Sequence, residues 1–320
     1  MLTRPGSPGS RIVGLGHYSP ERIVTNDDLA KTLDTNDEWI RSRVGIETRH
    51  LADDESVADM ALAAARHALQ DAGVEASAVD MIVVATLSSL DRSPNVAGRV
   101  SAALGANSPV ILDVNVACSG FVHALAVADQ AVRTGAATTA IVIGSEKLSD
   151  FADWTDRSTA VLLGDGAGAV VLQAADEPGV GPVAWGSESE LTSAIRVESP
   201  GLKFTQDGRG IMRWALTRAA GHVREAVDAA GLSLDDIQVF VPHQANLRII
   251  EPLTKALDIE DRVIVTDLVE SGNTSAASIP LGLSRWWHAG RIPADAPALL
   301  FGFGGGFAYA GMVVLTPKRR

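Results

Sequence analysis

Three residues of this sequence have side chains suited to nucleophilic catalysis. Cys118 is the only cysteine among 320 residues and lies in the string DVNVACSG, residues 113–120. A thiolate is a nucleophile, and a nucleophilic cysteine needs a base and an orienting partner. His243, in PHQAN, and Asn273, in SGNTS, are the candidates for those partners. The alternative is that Cys118 is a small buried apolar residue, as most lone cysteines are.

Each candidate follows a predicted strand. Residues 110–116 are apolar and β-branched, which predicts a buried strand, and 119–134 have apolar residues at helical spacing. Cys118 is therefore expected at a strand-to-helix corner, where unpaired N–H groups and the helix dipole would lower the pKa of its thiol.

Predicted strands also end just before the other two candidates. Residues 238–241 precede His243, and residues 262–267 run into the segment that holds Asn273. Each has a structural alternative, because His243 could bond a backbone group and Asn273 could cap the helix that begins near Ser275.

Composition excludes several classes of protein. Hydrophobic residues make up 46% and charged residues 21%, which is typical of a globular protein with a large interior. The net charge of −12 argues against a nucleic-acid partner. One cysteine excludes an internal disulfide, and the first ten residues contain no signal-like apolar run, so we expect a cytoplasmic protein. No stretch approaches the length of a membrane span, so no membrane partner is expected.

A weak internal repeat predicts two similar halves. Helix and strand alternate in both, which predicts an α/β fold whose duplicated units pack as one five-layered body. The matching pairs of segments are 72–84 with 230–242, 164–172 with 304–315, and 111–145 with 264–304.

The halves divide the candidate residues between them. We place an N-terminal half with the nucleophile at residues 1–175 and a C-terminal half with His243 and Asn273 at residues 176–320. Residues 176–210 are predicted to be irregular loops over an active site.

Seven strings in order carry a family resemblance: DTNDEWI, SRVGIETRH, VACSGF, TDRSTAVLLGDGAGAVVL, VPHQANLRII, SGNTSAAS and FGFGGGF. On them the chain resembles the β-ketoacyl-acyl carrier protein synthase III family of the thiolase superfamily over nearly its whole length. The resemblance implies a thiolase-like fold with αβαβα layers, a homodimer, and a ping-pong condensation that starts fatty acid or polyketide synthesis. Acyl-CoA and malonyl-acyl carrier protein would be the substrates. Coenzyme A would enter only as a thioester, and no cofactor and no metal are expected.

The resemblance also implies catalytic roles. Cys118 would accept the acyl group, with His243 as its proton partner. The backbone N–H groups of Cys118 and Gly305 would hold the oxyanion. His243 and Asn273 would donate hydrogen bonds to the enolate oxygen that forms when malonyl-carrier protein loses carbon dioxide.

Binding positions carry over by motif. Trp39 would stack on the adenine of coenzyme A, with Arg43 and Arg157 beside the ring and phosphates. Residues implied to line the substrate tunnel or acyl pocket are Gly208, Met212, Ala245, Asn246 and Ser93. Residues implied to face the acidic carrier protein are Arg213, Arg248 and Lys255.

The chain departs from the family pattern in a few places. The stretch 187–206 is shorter than its counterpart in the familiar bacterial housekeeping enzymes of this family, at the position expected for the tunnel mouth. Ser93 stands where acetyl-selective members place a Phe that reaches the partner subunit's acyl pocket, so the pocket is expected to admit primers longer or more branched than acetyl. Met212 replaces an aromatic residue, and Arg209 stands where Asn is usual, so no contact is assigned to Arg209.

Two other functions compete with condensation. A pathway-specific relative could use Cys118 to move an acyl group onto an alcohol or amine without decarboxylation, although retained His243 and Asn273 favour the condensing enzyme. A cysteine hydrolase is the other alternative, since papain-like proteases also present Cys, His and Asn in that order. The duplicated halves, the missing signal peptide and the GDGAGAVVL string count against a hydrolase.

Overall fold

The computed structural model describes residues 6–319, which form fourteen strands and ten α-helices. The strands are β1 (Gly9–Tyr18), β2 (Ile23–Thr25), β3 (Thr48–His50), β4 (Met81–Ala85), β5 (Val110–Val114), β6 (Thr139–Lys147), β7 (Asp165–Ala175), β8 (Ala184–Ser187), β9 (Ile195–Glu198), β10 (Lys203–Gln206), β11 (Val239–Pro242), β12 (Val263–Ile264), β13 (Pro297–Phe303) and β14 (Ala308–Leu315). The helices are α1 (Asn26–Ala30), α2 (Asp37–Val44), α3 (Val57–Ala72), α4 (Val96–Leu104), α5 (Gly120–Arg133), α6 (Gly208–Thr217), α7 (Ala219–Ala229), α8 (Leu247–Leu257), α9 (Leu268–Ser271) and α10 (Ser278–His288).

Two five-stranded sheets share one topology. The first has the order β1-β7-β6-β4-β5 and the second has the order β8-β14-β13-β11-β12. In both, the first three strands are antiparallel neighbours and the last two join in parallel. The duplication that the sequence repeat indicates is therefore visible in strand order and direction.

The two sheets and their helices stack in five layers. Helices α3 and α4 cover the outer face of the first sheet through small and branched apolar residues. Helices α5 and α10 lie between the sheets and share the central core with inward residues of both. Helices α6, α7 and α8 cover the outer face of the second sheet. The predicted αβαβα arrangement is confirmed.

Helix α3 shows how local sequence sets the outer layer. Ser56 accepts a hydrogen bond from the N–H of Asp59 and the Asp59 carboxylate accepts one from the N–H of Ser56, so the helix begins with a capping box. It ends at Gly73, whose φ of 54° is left-handed. Its alanines let β1 approach closely: a Cβ on Gly16 would lie 2.2 Å from the backbone N of Ala68.

Three predicted elements differ from the structure. Residues 110–116 form the shorter strand β5, which lies at a sheet edge with exposed side chains because β4 is its sole strand partner within residues 6–319. Residues 176–210 are not irregular, since they contain β8 and the hairpin of β9 and β10. Residues 262–267 yield only β12, and the short helix α9 separates that strand from Asn273.

Corresponding corners of the two halves meet at the centre of the molecule. A 3₁₀ turn at Ala117–Ser119 leads into α5, and one at Ser275–Ala277 leads into α10. Each turn begins with a left-handed residue other than glycine, Ala117 at φ 43° and Ser275 at φ 46°. Such backbone is costly and persists only where the surroundings fix it, as often happens at functional sites. Within residues 6–319, no helix has both the length and the apolar character needed to cross a bilayer.

Candidate active site

A cavity of about 960 Å³ runs to the point where the two corners meet. Its exposed lining residues include Arg43 and Gly208, which mark a mouth, whereas Cys118, His243 and Asn273 are at most 9% exposed and mark the inner end. The walls between are largely apolar. They include Val161, Ile195, Leu202, Phe204, Ile211 and Ile249. The cavity therefore suits a long ligand whose reactive end lies out of water.

Cys118 is held against the glycine-rich turn that follows β13. A Cβ placed on Gly304 would lie 2.7 Å from the Sγ of Cys118 and 2.6 Å from the Cβ of Cys118, so only glycine allows the two segments to approach this closely. The backbone N–H groups of Gly305 and Cys118 both act on the sulfur in the direction that lowers its pKa, so both face it. These two N–H groups are the pair expected to hold an oxyanion.

The predicted lowering of the Cys118 pKa is wrong. Burial, reinforced by the negative charge of Glu146, raises the pKa of the thiol to about 11, more than the nearby N–H groups lower it. The sequence places Cys118 correctly before a helix, but the first turn is 3₁₀ and the side chain is buried. With this pKa the sulfur is a protonated thiol near neutral pH.

His243 follows β11 directly, as expected. Its backbone N–H donates to the carbonyl of Phe301 at 2.7 Å, and its Nδ1 lies 2.8 Å from the Ser278 hydroxyl. Phe303 meets the imidazole edge-on, with ring centroids 6.3 Å apart. Burial lowers the imidazole pKa to about 3, so the ring is neutral near pH 7 and one of its nitrogens keeps a free lone pair. With Nδ1 occupied, Nε2 is the nitrogen left for chemistry.

Asn273 is oriented by two sets of hydrogen bonds. Its N–H donates to the carbonyl of Leu162 at 2.8 Å, and its carbonyl accepts from Gly164 at 3.0 Å. The side-chain Oδ1 accepts from the N–H of Ser275 at 2.9 Å, but Asn273 does not cap a helix, because Thr274 and Ala277 are the cap residues of the 3₁₀ turn and of α10. Because Oδ1 is occupied, the amide Nδ2 is the group that can donate to a ligand.

The predicted coenzyme A residues group at one side of the mouth. Asn36 caps α2 through the N–H of Trp39, and the next turn of that helix carries Arg43. The guanidinium of Arg157 lies 5.1 Å from the Trp39 ring centroid and that of Arg43 lies 6.0 Å away. Arg157 also donates to the carbonyl of Asp34 at 2.5 Å. Two cations and an aromatic face are thus brought together by the protein's own contacts.

Only some of the remaining predicted binding residues line the cavity. Those that do are Gly208, Met212, Ala245 and Asn246. Ser93 and Arg157 lie outside its lining, and so do the exposed residues Arg213 on α6 and Arg248 and Lys255 on α8. The Oδ1 of Asn246 caps α8 by accepting from the N–H of Arg248 at 2.9 Å.

Sequence reasoning missed two buried polar residues behind the site. Ser278 holds Nδ1 of His243 and is 1% exposed. The carboxylate of Glu146 accepts from the hydroxyls of Ser88 at 2.5 Å and Thr86 at 3.1 Å, and burial raises its pKa to about 7. Ser278 lies five residues after Asn273 in the quoted SGNTSAAS string, but nothing in the string indicates which way its side chain points.

Comparison with known proteins decides the family. The models described as 3-oxoacyl-[acyl-carrier-protein] synthase III and its C-terminal domain match residues 112–189 and 227–316. The chain belongs to the 3-oxoacyl-[acyl-carrier-protein] synthase III family. Cys118 falls in the first matched range, and His243 and Asn273 fall in the second.

Relatives of this synthase family match along the full chain. A β-ketoacyl-[acyl-carrier-protein] synthase III from Streptomyces coelicolor is 54% identical over 97% of this chain and 99% of its own. The crystal structure of the priming β-ketosynthase of the R1128 polyketide pathway has a TM-score of 0.96 and 38% identity, covering 100% of this chain and 99% of that one. The Aquifex aeolicus synthase III has a TM-score of 0.93 and 36% identity, covering 96% and 100%. The predicted family and thiolase-like fold are confirmed.

Proposed function

We propose that this synthase III condenses an acyl-CoA primer with malonyl-acyl carrier protein, losing carbon dioxide, and so starts fatty acid or polyketide synthesis. The observation that carries the proposal is the buried group of Cys118, His243 and Asn273 at the inner end of a long, largely apolar cavity. The cavity opens beside Trp39 and Arg43, where an aromatic face and cations suit a nucleotide.

The first half-reaction transfers the acyl group to sulfur. The Cys118 thiol attacks the thioester carbonyl while its proton passes to Nε2 of neutral His243. The carbonyl oxygen becomes an oxyanion that the N–H groups of Cys118 and Gly305 stabilise, each donor being worth about 3 kcal/mol. Coenzyme A leaves as the thiol after taking the proton, and the acyl group remains on Cys118. The reaction needs no further cofactor.

The second half-reaction makes and uses a carbanion equivalent. As malonyl-carrier protein loses carbon dioxide, negative charge moves onto its thioester oxygen. The Nδ2 of Asn273 and the Nε2–H of His243 donate to that oxygen. In this half-reaction neutral His243 is the tautomer with its hydrogen on Nε2, and its Nδ1 accepts from the Ser278 hydroxyl. The enolate carbon then attacks the acyl-Cys118 carbonyl, and Cys118 leaves as a thiolate that takes from solvent the one proton this half-reaction consumes and so returns to the thiol.

Carrier-protein docking is assigned to the helices beside the mouth. Arg213 on α6 and Arg248 and Lys255 on α8 are exposed, and the two helices pack against each other. In a chain of net charge −12 a local basic surface would be needed to attract an acidic partner.

We infer that the chain works as a homodimer joined along β5. Val110, Ile111 and Leu112 are 52%, 44% and 36% exposed, although the strand reads as apolar. One edge of β5 pairs with β4 and the other has no strand partner within residues 6–319. An apolar, unpaired edge favours pairing with a second copy, and a twofold axis would satisfy both edges at once. Ser93 would then contribute to the partner's acyl pocket.

Mass spectrometry of intact protein tests the function. Incubation with acyl-CoA should add one acyl group to Cys118, and only malonyl-carrier protein should discharge it with release of carbon dioxide. Cys118→Ala, which keeps a small apolar side chain at a buried position, is the control and should acquire no acyl group. Discharge by an alcohol or amine alone would instead support acyl transfer without decarboxylation, and discharge by water would support a hydrolase.

A further inference from the structure

We propose that His17, His67 and His288 form a binding site for a divalent transition-metal ion, with Zn²⁺ as the best-suited ion. The three residues lie on β1, α3 and the last turn of α10, far apart in sequence. One ring nitrogen from each lies within 4.8 Å of the other two. None of the three lines the catalytic cavity, so the site would be separate from the condensation chemistry.

Each imidazole is already oriented through one nitrogen. Nδ1 of His17 lies 2.9 Å from the hydroxyl of Ser284, and Nε2 of His288 lies 3.0 Å from the carbonyl of Leu15. Nδ1 of His67 lies 3.3 Å from the carbonyl oxygen of His17, to which it can donate, and 3.2 Å from the backbone N of the same residue. Metal-binding histidines are held in this way, with a carbonyl or hydroxyl on one nitrogen and the metal on the other.

The second nitrogen of each ring is available. For Nε2 of His17, Nε2 of His67 and Nδ1 of His288, no hydrogen-bond partner occurs among residues 6–319. His17 and His67 are half-buried and His288 is exposed, so an ion can reach them from solvent. Three neighbouring imidazoles, each with one nitrogen free of hydrogen bonds and with an entry path from solvent, can form an open site in which water would complete the coordination.

Closing the site requires a modest rotation of the rings. Tetrahedral geometry with Zn–N bonds of about 2.0 Å puts nitrogens roughly 3.3 Å apart. The rings of His67 and His288 are stacked, with centroids 4.5 Å apart and an angle of 21°, so at least one must turn to aim its nitrogen inward. His288 is the residue free to do so, because it is exposed and ends its helix.

The ligand set selects the class of ion. Imidazole favours Zn²⁺, Cu²⁺ or Ni²⁺, whereas Mg²⁺ and Ca²⁺ prefer oxygen ligands. Arg285 is the cation near His17, and its guanidinium is paired with Asp267 at 2.9 Å and Glu270 at 2.6 Å. A bound ion would tie the outer helix α3 and strand β1 to the central helix α10, so we infer that it stabilises the fold.

The test uses the tag-free protein with the substitution Cys118→Ala. Without this substitution, the Cys118 sulfur and the His243 imidazole could together bind a metal ion in the catalytic cavity. Titration with ZnCl₂ after chelator treatment should show one ion per chain and a melting temperature that rises with metal concentration. Co²⁺ should give the visible absorption of a nitrogen-ligated, roughly tetrahedral ion without a thiolate band.

Loss of one ligand should weaken binding about tenfold or more, as loss of even an outer-shell group can. His67→Ala is the main variant and His288→Gln, at an exposed position, is the second in case the first fails to fold. His50→Gln, a histidine outside the cluster, is the matched control and should bind as the parent does. Absence of metal binding in the parent, or equal binding by His288→Gln and the control, would overturn the proposal.

Discussion

The neutral state of His243 makes a quantitative prediction about stability and pH. Burial lowers the imidazole pKa from 6.5 to about 3 in the folded protein. Above pH 6.5 the ring is neutral in both the folded and unfolded states. Below that pH the unfolded chain binds a proton that the folded chain does not, so the free energy of unfolding falls by about 1.4 kcal/mol per pH unit until the folded pKa is reached. Between pH 7 and pH 4.5 this amounts to about 3 kcal/mol.

The effect is isolated by comparing wild type with His243→Asn. The asparagine amide can keep a hydrogen bond to Ser278 and does not titrate. Between pH 7 and pH 4.5 the free energy of unfolding of the variant should therefore fall by about 3 kcal/mol less than that of wild type. A change in the free energy of unfolding that does not depend on pH cancels, because only the difference between the two pH values is compared. The contribution of His17, whose pKa burial also lowers to about 3, is common to both proteins and cancels as well.

Urea denaturation at fixed protein concentration measures the difference, since dimer formation would otherwise make stability depend on concentration. Ser278→Ala is the matched control, because it removes the partner of Nδ1 but keeps a buried imidazole. It should retain the full pH dependence of wild type. If wild type and His243→Asn lose equal stability between pH 7 and pH 4.5, the folded imidazole is not held neutral and cannot be the proton acceptor described above.

Four further substitutions probe the site. Asn273→Ala should leave self-acylation of Cys118 largely intact and slow malonyl decarboxylation by about 10²-fold or more, since one oxyanion donor is lost; an equal fall in both rates would contradict this. Trp39→Ala should weaken acyl-CoA binding by roughly 1 to 2 kcal/mol in calorimetry, and unchanged affinity would place the adenine elsewhere. Gly304→Ala should slow acylation about 10²-fold because its Cβ would displace the sulfur, whereas a normal rate would show that the turn relaxes freely. Wild type should prefer isobutyryl or hexanoyl primers to acetyl-CoA, and Ser93→Phe should reverse this; an acetyl preference that Phe leaves unchanged would refute the pocket argument.

The sequence allows the presence and order of elements to be predicted better than their bounds or their surroundings. Placing Cys118 and His243 at strand ends required only local pattern, and the repeat predicted the shared topology of the two sheets. An apolar run such as residues 110–112 reads alike whether it is covered by its own chain or left at an edge, so the exposure of β5 could not be foreseen. The error in the Cys118 pKa has the same origin, because burial and the charge of Glu146 come from distant segments.

The three catalytic candidates share a property that suits a two-stage reaction. A thiol with a pKa of about 11 and an imidazole with a pKa of about 3 are both neutral near pH 7, and the amide of Asn273 carries no charge. Charge therefore develops only when a thioester oxygen lies against the donors arranged for it. Because the three residues are buried and hydrogen bonds already orient His243 and Asn273, little reorganisation accompanies that change. The same neutrality lets His243 accept a proton from Cys118 in one half-reaction and donate a hydrogen bond to the enolate in the other, which a permanently charged side chain could not do.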